Sequence, residues 1–150
     1  MSHRGDICEL VARFADAVNR LDLEAFENLW TREATWIIDP PTDYRSSGSR
    51  AQITAGFGEG MRGHWRSFSQ YVHGTVVDFA PGGDAAQVRS YLSEIGIPLA
   101  GDSGYRNHGT YIDQVERTDE GWRFRQRHYR YLYLDVRAVP GEGAPVGGHR

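Results

Sequence analysis

The sequence predicts a single α+β domain in which helices come first and a strongly bent antiparallel sheet follows. Three observations predict it. Apolar residues recur at helical spacing through the first part of the chain. They alternate at strand spacing from about Phe68 onward. The last strand-like segment, GWRFRQRHYRYLYLD (Gly121–Asp135), changes character along both of its faces. By simple alternation Trp122, Phe124, Gln126, His128, Arg130, Leu132 and Leu134 share one side, and the arginines and tyrosines at odd positions share the other. A long curved strand, packed under helices at one end and lining a pocket or interface at the other, suits such a pattern. A bulge near Gln126–Arg127 would turn the later side chains toward a cavity.

The elements follow in order. Ile7, Leu10, Val11, Phe14 and Val18 mark a first helix over about residues 7–19, opened by the pair Asp6 and Glu9. Asp22 caps a second, with Leu23, Phe26, Leu29 and Trp30 on one face. Ala34–Ile38 reads as a strand that runs into the loop DPPTDYRSSG, where Pro40 and Pro41 end regular pairing. Ser49 and Gln52 form a capping box for a third helix carrying Ile53, Phe57 and Met61, which Gly58, Gly60 and Gly63 weaken. QYVHGTVVDF and AAQVRSYLSEI form a hairpin about the turn APGGD. YRNHGTYIDQVER, the turn TDEG and the final strand complete the meander.

At 150 residues the chain has the size of one domain, able to bury roughly two-thirds of its unfolded surface. Residues 1–135 form the expected domain, and the Gly- and Pro-rich segment 136–150 an expected flexible tail. The single cysteine, Cys8, excludes an intramolecular disulfide and fits a cytoplasmic protein. A net charge of −3 with both signs interspersed speaks against nucleic acid as a partner. No stretch is apolar for long enough to span a membrane. No pair of histidines has metal-ligand spacing, and no glycine-rich phosphate or dinucleotide loop is present, so no metal and no cofactor are expected.

Several residues could carry acid–base chemistry. Glu94 ends the row Ala86, Val88, Ser90, Leu92, a face of small or apolar side chains where desolvation would lift a carboxyl pKa. His73 shares a face with Tyr71, and a histidine beside a phenol can relay a proton near neutrality. His108, opposite in face to Tyr111 and Asp113, is a further candidate. Arg127 could stabilise developing negative charge, or could simply pair with Glu94 or Asp113. Tyr44 lies in the Pro/Asp-rich loop as a possible lid residue. Tyr91, Tyr129, Tyr131 and Tyr133 suit either a pocket lining or a dimer face.

The order and spacing of AVNRLDLEAFENLW, ATW, GSRAQI, VVDFAPGGDAAQVRSYL and HGTYIDQVERTDEGWRF, followed by Arg127, resemble the SnoaL-like group of the nuclear transport factor 2-like superfamily. The most characteristic part is Gly109-x-Tyr111-x-Asp113 followed by Gly121-Trp122-Arg123-Phe124-x-x-Arg127. The resemblance implies a cone-shaped curved sheet closed by three helices around a pocket, and commonly a homodimer. It also implies an activity drawn from dehydratases, isomerases, hydrolases and cyclases that use no cofactor, although the superfamily includes proteins with no enzymatic role. Where several family enzymes have an Asp at the end of helix one, this chain has Asn19, which cannot accept a proton at neutral pH. A dehydratase tyrosine on that helix matches Phe14, and the family histidine falls near Gln70. Glu94 matches an acidic position of bile-acid dehydratases, and Arg127 a functional arginine of some members.

The expectation is a cofactor-independent lyase, isomerase or cyclase acting on a hydrophobic cyclic molecule such as a polyketide, terpenoid or steroid-like compound. Glu94, His73, Tyr71, Arg127 and His108 would carry the chemistry, and Asn19, Phe14, Trp36, Tyr44, Tyr91 and Tyr129 would contact substrate. The alternative is a non-catalytic small-molecule-binding or dimerisation module of the same fold. A β subunit of a ring-hydroxylating dioxygenase is a third possibility, disfavoured by the short loops and the Gly/Pro tail.

Overall fold

The computed structural model of the protein describes residues 3–148. Helix α1 (His3–Arg20) buries Ile7, Leu10, Val11, Phe14, Ala17 and Val18, with Asp6 in its first turn and Arg20 in its last, where each charge opposes the helix dipole. Helix α2 (Leu23–Glu27) is one short turn, capped by the Asp22 carboxylate accepting from the Ala25 N–H at 3.0 Å. Strand β1 (Trp30–Ile38) begins earlier than expected. Trp30, placed by its spacing on the helix, opens this strand instead and is fully buried. The Pro-rich loop is correspondingly short, and Tyr44–Ser49 forms strand β2 antiparallel to β1.

Helix α3 (Arg50–His64) starts at the expected capping box. The Gln52 N–H donates to Ser49 Oγ at 3.2 Å, and the Ser49 N–H donates to Gln52 Oε1 at 3.0 Å. Four long strands follow: β3 (Trp65–Phe79), β4 (Ala85–Pro98), β5 (Tyr105–Thr118) and β6 (Gly121–Asp135). They form an antiparallel meander, and the whole sheet runs β2-β1-β6-β5-β4-β3. The sheet is curved and unclosed. It is mixed rather than wholly antiparallel, because β1 lies parallel to β6. After α1 and α2 the chain enters β1 in the direction the last strand will take, and the β1–β2 pair then forms one end of the sheet.

An aromatic core joins helices to sheet. The Phe26 and Phe57 rings stack at 4.0 Å, and Phe14 meets Phe26, Trp30, Trp36, Tyr111 and Phe124 edge-on or tilted. Val136–Gly148 contains no helix or strand. The Gly104 N–H donates to the Val136 carbonyl at 2.9 Å, and the Val146 N–H to the Arg66 carbonyl at 3.1 Å. Residues 149–150 of the expected tail lie outside the described residues. Among the described residues, no helix is long and apolar enough to cross a membrane.

Register breaks occur in β1, β3 and β6, and three bulges among them set the faces of the residues near Glu94 and Arg127. In β3, Val72 pairs with Leu92 and Gly74 with Tyr91, so His73 is an extra residue. In β6, Arg125 and Leu132 are extra in the same sense. Each bulge exchanges the faces of the residues beyond it. Trp122 and Phe124 therefore share a side with Arg127, Tyr129 and Tyr131, and Leu134 returns to that side after the second bulge.

Candidate active site

The curved face of the sheet, α1 and α3 enclose a cavity of about 560 Å³. Its wall is mostly apolar, with Phe14 and Val18 from α1, Phe57 and Met61 from α3, and Trp36 and Ile38 from β1. Glu94 is the one carboxyl group among the described lining residues.

Glu94 is half-buried and faces this space from β4. The Gln70 amide Nε2 donates to Oε2 at 2.7 Å, and the Asn107 amide Nδ2 donates to Oε1 at 3.1 Å. The Tyr129 hydroxyl donates to Asn107 Oδ1, which fixes the orientation of that amide. Burial pushes the Glu94 pKa above its ordinary value, and hydrogen bonds from Gln70, Asn107, Tyr129 and Tyr105 oppose the rise. The Tyr129 proton is already directed at Asn107, so Glu94 is only its alternative acceptor. The Tyr105 and Tyr131 hydroxyls are 2.5 Å apart, and Tyr131 also meets Thr42 Oγ1. Burial raises the pKa of Tyr105, Tyr129 and Tyr131, so all three stay neutral phenols at physiological pH.

Asn19 holds this arrangement from behind. Its Nδ2 donates to the Gln70 carbonyl at 2.8 Å, and its Oδ1 accepts from the Gln70 N–H at 2.7 Å. This two-point bond ties the end of α1 to β3. Asn19 does not line the cavity. The expected substrate contact is thus corrected to a clip on the backbone of Gln70.

Beneath the cavity lies a buried ion pair. Arg127 Nε and Nη2 donate to the two Asp113 oxygens at 2.8 and 2.9 Å, with the side chains 1% and 0% exposed. The guanidinium lies 3.6 Å from the Tyr111 ring centroid and 4.2 Å from those of Phe14 and Phe124. Burial raises the Asp113 pKa and Arg127 opposes it, but both carboxylate oxygens accept hydrogen bonds, which is the geometry of the ionised pair. Arg127 is absent from the cavity lining because Phe14 and Tyr111 lie over it. Its partner is Asp113, not Glu94 and not substrate.

Of the residues singled out from sequence, Glu94, Phe14, Trp36, Tyr44 and Tyr129 line the cavity. His73, Tyr71, His108 and Tyr91 do not. Tyr71 is 55% exposed, and His73 is exposed with its Nε2 2.7 Å from Ser93 Oγ. The bulge at His73 is the reason, since it turns Tyr71 and His73 outward and brings Gln70 inward. His108 is exposed beside the ring of Tyr133, and Tyr91 is 42% exposed between the inward residues Ser90 and Leu92. The proton relay expected from His73 and Tyr71 is therefore corrected: neither group reaches the pocket. Gln70, Asn107, Tyr105 and Tyr111, all close to Glu94, carried no catalytic motif. Asn107 and Tyr105 could have been found by alternation from Tyr111 along the unbulged strand β5.

A family model described as SnoaL-like domain matches residues 1–128. No curated protein matches the chain. Among solved structures, a candidate aromatic ring hydroxylase from Novosphingobium aromaticivorans is similar at 24% identity, with a TM-score of 0.79 over 89% of this chain and 92% of that one. A candidate scytalone dehydratase from the same species is similar at 20% identity, TM-score 0.77, over 96% and 93%. The hexachlorocyclohexane dehydrochlorinase LinA-type3 from Novosphingobium barchaimii is similar at 17% identity, TM-score 0.79, over 94% and 92%. At these identities the likeness establishes the shared curved-sheet fold.

Proposed function

The chain belongs to the SnoaL-like domain family, and we propose that it is a cofactor-independent lyase or isomerase that moves a proton on a hydrophobic cyclic small molecule. The observation that carries this reading is Glu94: a carboxyl group with a raised pKa, held by two amides, in a mostly apolar cavity of a size that suits a ring-bearing ligand. Two of the similar structures are described as a dehydratase and a dehydrochlorinase, and both names denote elimination.

Glu94 alone serves as base and then acid. Ionised, it accepts the Gln70 and Asn107 amide protons and removes a proton from carbon. Protonated, it returns that proton to a leaving hydroxyl or to a second carbon. The Gln70 amide suits both states. As it stands it donates to the carboxylate, and its Oε1 is buried without a partner. Turned over, the same amide would accept from a carboxylic acid. A carboxylate whose pKa is raised by burial is a stronger base than an exposed one. Elimination is favoured over ring closure here because the dehydratase and dehydrochlorinase names both denote elimination, and a single carboxyl can make its two proton transfers.

The test is turnover of a panel of cyclic β-hydroxy and β-halo ketones by the native protein and by Glu94→Gln. The amide cannot accept the proton, so activity should fall about 10²–10⁴-fold with ligand binding retained. An unchanged rate would remove Glu94 from the chemistry. Tight binding of cyclic ligands by the native protein without turnover on any of them would favour the non-catalytic binding module.

A further inference from the structure

The two amides that hold Glu94 are satisfied differently. Asn107 is 2% exposed and committed at both ends: its Nδ2 donates to Glu94 Oε1, and its Oδ1 accepts from the Tyr129 hydroxyl. Gln70 is 3% exposed and committed at one end only. Its Nε2 donates to Glu94 Oε2 at 2.7 Å, and its Oε1 is buried with no hydrogen-bond partner among the described residues. Gln70 also lines the cavity, which Asn107 does not. A buried acceptor left unpaired is costly, and native sites supply nearly all such atoms with a donor.

While Glu94 is ionised the amide cannot escape by turning over. The reverse orientation would set one acceptor oxygen against another and forfeit the bond to Glu94 Oε2. The backbone cannot carry the amide away either. Asn19 holds the Gln70 N–H and carbonyl at 2.7 and 2.8 Å, and the ladder sets Gln70 directly opposite Glu94. The neighbouring phenols are occupied, Tyr129 with Asn107 and Tyr105 with Tyr131. The donor that this oxygen lacks is left to whatever fills the cavity.

We propose that Gln70 sets the specificity of the pocket: its Oε1 accepts a hydrogen bond from a hydroxyl on the ligand's ring, so a hydroxylated ring is taken in preference to a halogenated ring of the same shape. This rests on Glu94 being the base, because the reacting ring then lies beside both groups. Oε1 and Nε2 belong to one amide, so a hydroxyl bonded to Oε1 lies next to the carboxyl, where a leaving hydroxyl can receive its proton. A halogen has no proton to donate. It would leave Oε1 buried and unpaired and would bring its own negative charge toward the amide oxygen. A site that hydrogen-bonds a ligand hydroxyl rejects the analogue lacking it far more strongly than an apolar pocket rejects a missing methylene.

The experiment compares calorimetric binding of tetralol, a ring alcohol, with that of fluorotetralin, which carries fluorine on the same carbon. It is run at a pH where the side-chain carbon resonance of Glu94 reports a carboxylate. The native protein should bind tetralol at least about tenfold more tightly. Gln70→Met keeps the length of the side chain and the Asn19 clip, which touches only backbone atoms, and should make the two affinities nearly equal. In the native protein the Gln70 side-chain carbonyl resonance should move downfield with tetralol and stay in place with fluorotetralin, a readout that needs no variant. Equal affinities in the native protein, a tetralol preference that survives Gln70→Met, or a Gln70 resonance that tetralol does not move would overturn the assignment. Turnover does not enter these measurements. Full turnover by Glu94→Gln, with the tetralol preference intact in the native protein, would instead overturn the base and leave Gln70 as the selector of a binding site.

Discussion

Neutralising Asp113 should come close to unfolding the protein. Asp113→Asn keeps size and shape but leaves the Arg127 guanidinium, 1% exposed, with one neutral acceptor in place of a two-oxygen carboxylate. Breaking a buried pair in this way costs about 3–5 kcal/mol. A domain of this length has a total stability of about 5–15 kcal/mol. At about 2–4 °C per kcal/mol, the melting temperature should fall by roughly 6–20 °C. Replacing both partners by apolar residues, Asp113→Leu with Arg127→Met, removes the orphaned charge and should recover most of the loss. Recovery should stop short of native stability, because the cation stacked on Tyr111, Phe14 and Phe124 is worth up to about 2 kcal/mol when desolvated. Urea unfolding followed by far-ultraviolet circular dichroism and by the fluorescence of the buried Trp30 and Trp36 gives both numbers. A cost below about 1 kcal/mol for Asp113→Asn would mean that the pair behaves like a solvated one. A double variant no better than the single would mean that the charge itself was not the issue. Either result would refute the reasoning.

Other consequences follow from the same contacts. The folded Glu94 pKa lies above its ordinary 4.5 through burial, so the folded state holds the proton more tightly, and this group's contribution falls as pH rises from 4.5 through the folded value. Glu94→Gln should flatten that fall in urea midpoints taken from about pH 4 to about pH 8; an unchanged slope would contradict it. Asn19→Ala strips both bonds to the Gln70 backbone and should cost about 1–3 kcal/mol. Asn19→Asp should not rescue it, since a carboxylate cannot donate to the Gln70 carbonyl; stability curves of the two variants decide this. At Gly109 an added Cβ would stand 2.1 Å from the Tyr129 hydroxyl, so Gly109→Ala must displace a packed ring and the Asn107 amide it holds. A loss of about 1–3 kcal/mol is expected, with a fall in turnover larger than the stability loss predicts. Native activity in a folded Gly109→Ala protein would show that the placement of Tyr129 does not matter.

The parts of the site that were legible in the sequence are those on unbulged strands. β4 pairs with β5 without a register break, so the row Ala86, Val88, Ser90, Leu92, Glu94 could be read inward by counting twos. The motif Gly109-x-Tyr111-x-Asp113 gains its physical meaning on the equally regular β5. Gly109 makes room for Tyr129, Tyr111 floors the cavity, and Asp113 holds Arg127. On β3 the same counting fails. Counted from the turn after Phe79, the ladder pairs Gln87 with Asp78 and Val88 with Val77, and continued unbroken it would set Tyr71 across from Glu94. The extra residue at His73 shifts the partner to Gln70. One residue of slip thus exchanges a phenol and an imidazole for an amide beside the only carboxyl among the described lining residues, and so changes the chemistry on offer. Gly74, immediately after the extra residue, was the available signal, because glycine inside a strand often marks a bulge. The bulges at Arg125 and Leu132 carry no such mark. Of these, the reversal near Gln126 was legible only as the change of character along β6. The change has a physical cause, because no single face of an unbulged strand could bury Phe124 under the helices, Arg127 against Asp113 and Tyr129 against Asn107.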